Sequence, residues 1–182
     1  MDLGLTGKRA LVTGSTAGIG FATARALAAE GAHVTVNGRT QARVDSAVDA
    51  LRREYSGATV SGIAADLSGV EGCETLVDQL PEVDVLVNNL GIFEVKSFEQ
   101  ISDEDWIRFF GTNVLSGINL SRHYLPGMRS RNWGRIVFVS SESALQIPVE
   151  MIHYGMTKTA QLAVARGLAE TLVGTGVTVN SV

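Results

Sequence analysis

The chain has 182 residues, and its 15 lysines and arginines against 19 aspartates and glutamates give a formal charge of −4 with histidine neutral. A composition that is 45% hydrophobic and 19% charged supplies one core of ordinary size and excludes a disordered, fibrous or low-complexity chain. The acidic balance argues against nucleic acid or an anionic membrane surface as partner, and a single cysteine, Cys73, excludes an intrachain disulfide or a multi-thiolate zinc site.

No charged leader followed by an apolar run opens the sequence, and no stretch of about 18 apolar residues occurs. The expectation is therefore a cytoplasmic protein with no membrane segment. Lys8 to Thr13 reads as a buried strand. A glycine-rich turn follows, Gly14-Ser15-Thr16-Ala17-Gly18-Ile19-Gly20, and then a helix with apolar residues at Ile19, Ala22, Ala26 and Leu27, stopped by Gly31. The alternation repeats with strand His33 to Asn37, helix Gln41 to Tyr55, strand Thr59 to Ala65, helix Val70 to Gln79 and strand Val83 to Val87. A long helical region from Asp103 to Arg129 comes next, then strand Arg135 to Ser140, helix Glu150 to Val173 and a last strand Val177 to Val182. Six strands with helical crossovers predict an α/β fold, a Rossmann-like doubly wound parallel sheet, in one domain over residues 1–182. The last strand is followed by no helix to cover its edge, which reads as a chain ending early.

Glycines between a first strand and first helix let backbone N–H groups approach a diphosphate, which makes Gly14, Gly18 and Gly20 candidate dinucleotide contacts. Their GxxxGxG spacing differs from the GxGxxG fingerprint and is also compatible with a plain tight turn. After the second strand the chain reads Asn37-Gly38-Arg39-Thr40, with no acid to repel a 2′-phosphate and an arginine able to pair with one. NADP(H) is favoured, with NAD(H) as the alternative. Tyr154 and Lys158 share a helix face at i and i+4, and Ser141 lies at the carboxyl end of a predicted strand, as does Asn88-Asn89-Leu90-Gly91.

Taken together in this order and spacing, these segments, with Asp66-Leu67 and Asn113, resemble the short-chain dehydrogenase/reductase family in its form of roughly 250 residues. The resemblance implies an oxidoreductase interconverting a carbonyl and an alcohol, with Asn113, Ser141, Tyr154 and Lys158 as the catalytic set. It also implies a cofactor site formed by Gly14, Ser15, Thr16, Gly18, Ile19, Gly20, Arg39, Asp66, Leu67, Asn89, Gly91, Tyr154 and Lys158. Asp66 would meet the adenine, Asn88 and Asn89 would support the sheet, Ser141 would donate to the substrate oxygen, and Asn113 would position a water. Lys158 would hold the nicotinamide ribose and favour the phenolate of Tyr154, since a free phenol near pKa 10 ionises rarely at neutral pH. Leu90 stands where the family usually has alanine, a departure read as local repacking. The family continues beyond Asn180-Ser181-Val182 with a nicotinamide-side turn, a substrate segment and a seventh strand, so a molecule ending at Val182 is expected to bind cofactor weakly and turn over nothing.

His33, His123 and His153 show no ligand spacing, so no metal is expected, and Cys73 reads as a packing residue. Trp106 and Trp133 read as core or interface anchors rather than substrate platforms. Ala165, Leu168, Ala169 and Leu172 form an apolar stripe that is either internal or an interface; the family pairs its long helices, which implies a homodimer or homotetramer. Leu145, Gln146, Ile147 and Met151 line a pocket for a small hydrophobic carbonyl substrate or simply pack. Two other readings compete: a non-catalytic nucleotide-binding sensor or structural subunit, which has no need of Ser141, Tyr154 and Lys158 together, and a methyltransferase, which explains neither their spacing nor their identity.

Overall fold

The computed structural model describes residues 3–182. Its strands are β1 (Arg9–Val12), β2 (His33–Gly38), β3 (Val60–Ala64), β4 (Val85–Asn88), β5 (Gly134–Phe138) and β6 (Val177–Ser181). All pair in parallel, in the order β3-β2-β1-β4-β5-β6. Parallel neighbours need long crossovers, and the helices supply them: α1 (Gly18–Ala29), α2 (Gln41–Glu54), α3 (Val70–Gln79), α4 (Asp103–Phe110), α5 (Ser116–Ser130) and α6 (Ile152–Glu170).

Strand residues alternate between two cores. Ala10 and Val12 face Ala24, Ala28, Val44 and Leu51 of α1 and α2, whereas Leu11 faces Leu76, Leu120, Met128 and Leu172. Burial on both faces explains why the strands read as continuous apolar runs, and each fully buried leucine contributes about 1.5–3 kcal/mol. Ala165 and Leu172 of the predicted stripe lie in the second core, whereas the partly buried Leu168 also lines an open groove with Leu125 and Val164, so the stripe is internal in part and half-exposed in part.

The chain winds from β1 outward through β2 and β3, then returns to the other side of β1 with β4. The carboxyl ends of β1 and β4 therefore flank the topological switch point where such sheets bind ligands. Strand ends agree with the sequence reading within one or two residues. One element differs in kind. The expected helix over 103–129 is interrupted at 111–115 by a π-helical turn in which Ser116 N–H bonds to the Gly111 carbonyl, five residues back. Before it, Ser102 closes the start of α4 with a reciprocal capping box to Asp105. Helix α6 starts two residues later than expected because the Glu150 carbonyl accepts the Lys96 N–H, joining the loop after β4 to the loop before α6.

Candidate active site

The cleft begins at the glycine turn. Gly14 has φ of +60°, a conformation that glycine adopts without steric cost. Gly20 lies so close to the turn that a Cβ there would fall 2.6 Å from the Gly14 carbonyl oxygen. Two asparagines hold the turn. Asn89 Nδ2 donates to the Thr13 and Gly14 carbonyls at 2.8 and 3.1 Å, and Asn37 Oδ1 accepts from Gly14 N–H at 3.2 Å. Ser15 is buried with its hydroxyl donating to Val12 O at 2.6 Å, which makes it a brace of the turn. Gly18 and Ile19 are exposed at the first turn of α1, whose N-terminus has no side-chain cap. Its outward N–H groups are thus free to meet an anionic ligand.

From the turn, a cavity of about 210 Å³ runs past Thr16, Arg39, Arg43, Leu67, Leu90 and Gly91. Arg39, just before α2, and Arg43, in its first turn, are both exposed, and neither forms an ion pair among the described residues. Asp66 lines an adjoining cavity with Arg39, its carboxylate accepting from Ser68 N–H at 3.1 Å. Leu90 packs on the core while also facing the cavity. This donor set fits a dinucleotide: free helix N–H groups for a diphosphate at one end and two uncommitted guanidinium groups at another.

Past Gly91 the polar groups converge. The position a Cβ would take on Gly91 is 3.6 Å from both Asn113 Oδ1 and Lys158 Nζ. Asn113, carried inward by the π turn, accepts from Ile92 N–H at 2.8 Å and donates to Ile92 O at 2.9 Å and Thr157 Oγ1 at 3.0 Å. Lys158 is only 4% exposed, and its ammonium donates to Val139 O at 2.8 Å and Gln161 Oε1 at 3.3 Å. Burial with neutral partners pushes its pKa down to about 8. Its Nζ stands 5.6 Å from the ring centre of Tyr154, on the preceding turn of α6. Ser141 ends β5's extension, its hydroxyl accepting from Ser143 N–H at 3.1 Å, and the Ser143 carbonyl abuts Gly155.

The comparisons decide the class. Residues 8–182 match the family model described as short chain dehydrogenase. The chain belongs to the short-chain dehydrogenase family. Over its whole length it is 50% identical to the uncharacterized oxidoreductase YvaG of Bacillus subtilis, of which the match covers 69%. Over 98% of its length it is 36% identical to the D-beta-hydroxybutyrate dehydrogenase of Cupriavidus necator, of which 70% is covered. The crystal structure of L-sorbose reductase from Gluconobacter frateurii, complexed with NADPH and L-sorbose, superimposes with a TM-score of 0.95 at 32% identity. That superposition covers all of this chain and 70% of the other. This short-chain dehydrogenase thus has the Rossmann-like, NAD(P)-binding fold of an oxidoreductase family.

Within that fold the remaining candidates separate into near and far. Cys73 is buried and its thiol is pushed up by burial, away from thiolate chemistry. Trp133 lies between Lys8 and Arg135, 4.2 and 4.6 Å from its ring centre, at the amino end of β5 and so opposite the carboxyl ends that form the cleft. Among the described residues no group of three or more His, Cys, Asp or Glu is placed to hold a metal, and no helix is long and apolar enough to cross a membrane. Three residues of the site were missed: Asn37, Arg43 and Gln161. A polar residue three positions after Lys158, on its face of the helix, was the available signal for Gln161.

Proposed function

We propose that residues 1–182 belong to one dinucleotide-binding and catalytic domain, which in the relatives continues beyond the matched 69–70% with the substrate-side segment, and that this domain interconverts a carbonyl and an alcohol with NADP(H) preferred and Tyr154 as acid and base. The observation that carries this reading is the buried Lys158, held by neutral acceptors beside the ring of Tyr154. A cation in that position favours the phenolate when an alcohol is oxidised. Ser141 holds the substrate oxygen by a hydrogen bond, and Asn113 fixes the loop after β4 through both groups of its amide. Gly14, Gly18, Asp66 and Gly91 would hold the dinucleotide, which would supply the hydride when bound. Tyr154→Phe keeps the fold and NADPH binding while lowering carbonyl reduction at least about 100-fold, the scale of a lost general acid. Steady-state assays and calorimetry on the same variant check this, and undiminished turnover removes Tyr154 from the chemistry.

The cofactor preference is supported by Arg39 and Arg43, and by the NADPH seen in the sorbose reductase. Parallel calorimetric titrations should give tighter binding of NADPH than NADH. Arg39→Ala should weaken NADPH by roughly tenfold and leave NADH unchanged, the size expected for one charge-assisted phosphate contact. The mouth supports an apolar substituent on the substrate. Phe93 is 76% exposed with its ring edge-on to Tyr154 at 6.3 Å, and Ile147 packs against Gly155 from the other loop.

A further inference from the structure

We propose that Gln161 is a positioning residue for this reaction, a neutral bridge that ties the Lys158 ammonium to the backbone carbonyl of Asn113. The inference rests on the reading of Tyr154 and Lys158 given above. Gln161 is 1% exposed, in a stretch of α6 otherwise given to small and apolar side chains. Its Nε2 donates to Asn113 O at 2.6 Å and its Oε1 accepts from Lys158 Nζ at 3.3 Å. This pair of contacts fixes the amide's orientation. A flipped amide would set its NH₂ against the ammonium and its oxygen against a carbonyl, two repulsive contacts.

A buried ammonium has three donors to place and little water to place them in. Val139 O takes one and Gln161 Oε1 a second, which leaves one for the open side toward Tyr154 and Gly91. The bridge thereby acts twice. It keeps the lysine charged where burial opposes charge, and it couples the lysine's position to the π turn that carries Asn113. Among the described residues, the titratable group facing Lys158 is Tyr154 of its own helix. The segment after β5 presents Val139 O and Ser140, and the π turn presents Asn113, all uncharged. Asp105, Glu94, Arg108 and Lys96 act on His153 instead, and burial alone depresses Lys158. An apolar residue at 161 removes an acceptor from the ammonium, so the phenolate loses support and alcohol oxidation requires higher pH.

The test uses Gln161→Met, which is apolar and of similar shape, and Gln161→Glu, which restores a stronger acceptor for the lysine. Two readouts are taken: the Lys158 titration by ¹⁵N NMR in cofactor-free protein, and the pH profile of kcat/KM for oxidation of simple secondary alcohols with NADP⁺. In the Met variant, Lys158 should titrate about one unit lower and the half-maximal pH of oxidation should rise by about one unit, the scale of one hydrogen bond to a charged group. In the Glu variant Lys158 should titrate above the wild-type value, while the oxidation profile should not move to lower pH, because the added carboxylate compensates the cation. Unchanged titration and profile in Gln161→Met overturn the bridge and leave Gln161 as packing. Should that variant fail to fold, a Glu variant whose Lys158 does not titrate higher overturns it equally. Lysine shifts in the variants of a protein whose wild type neither oxidises alcohols nor reduces carbonyls overturn the reaction itself, and with it the catalytic meaning of the bridge.

Discussion

Two polar clusters flank the first turn of α6, and they are built in opposite ways. On the α4 side, Lys96 and Arg108 converge on the carboxylate of Asp105, with Glu94 completing the set. On the sheet side, among the described residues, the Lys158 ammonium hydrogen-bonds a carbonyl and an amide oxygen and no carboxylate. The first cluster spends its charges on each other and on capping α4 through Ser102, so it stiffens the rim. The second leaves its cation uncompensated by any carboxylate, which is what makes that cation useful to a neighbouring phenol. Near the first cluster sits His153, 0% exposed, its ring centre 4.0 Å from that of Phe109 with the planes tilted by 50°, and neither ring nitrogen is hydrogen-bonded among the described residues. It behaves as an aromatic plug rather than as a base.

The contrast predicts different penalties. The largest comes from Lys158→Met, which should cut turnover about 100-fold or more while the melting temperature changes little, because loss of a buried charge offsets the Val139 and Gln161 acceptors left without its donors. Activity assays beside calorimetric melting separate the two quantities, and a sharp loss of stability would show that Lys158 is structural. Asp105→Asn should do the reverse, lowering the melting temperature by a few degrees with kcat nearly kept. Lys96 and then Arg108 hold the Asp105 carboxyl well below the usual carboxylate range. Its contribution to stability is therefore complete above the unfolded-chain value of about 3.9 and disappears as pH falls below it, a slope the Asn variant should lack.

The smallest effect belongs to His153. Burial lowers its pKa; Asp105 and Glu94 oppose that shift, and Arg108 and Lys96 add to it. The unfolded chain takes up the proton first, below about pH 6.5, so the neutral ring stabilises the fold above that pH and progressively less as acid is added. His153→Phe should keep the packing against Phe109 and flatten the melting temperature between about pH 6.5 and 5. A slope that persists in the variant assigns it to another group.

Most of the architecture was legible because each strand is an apolar run and each crossover a helix of clear period, with Gly14 and Gly31 marking the turns. The candidate catalytic set came from the family resemblance, and the fold brings Asn113 and Lys158 of that set together beside Gly91, with the Tyr154 ring near Lys158. What escaped depended on three-dimensional bonding. Asn37 was read as the place where an acid is missing, yet its side chain ties three strand ends together, accepting from Gly14 N–H and donating to the Ile63 and Ala65 carbonyls. The π turn was not read because weak helix formers such as Gly111, Thr112, Asn113 and Val114 mark no particular hydrogen-bonding period, and only the bonds of Asn113 to Ile92 show what the widened turn holds. Gln161 escaped because a polar residue inside a helix ordinarily reads as a solvated face.

The strand order also governs how the molecule comes into being. β1 is the first strand made and an inner one in the sheet, with β2 on one side and β4 on the other. Until Val85–Asn88 has been synthesised, one edge of β1 has no partner, however well the first three strands have paired. Arg9 and Asp84 fasten that late seam through a backbone and two side-chain bonds, so closing it joins the half of the protein that carries the glycine turn to the half that carries Tyr154.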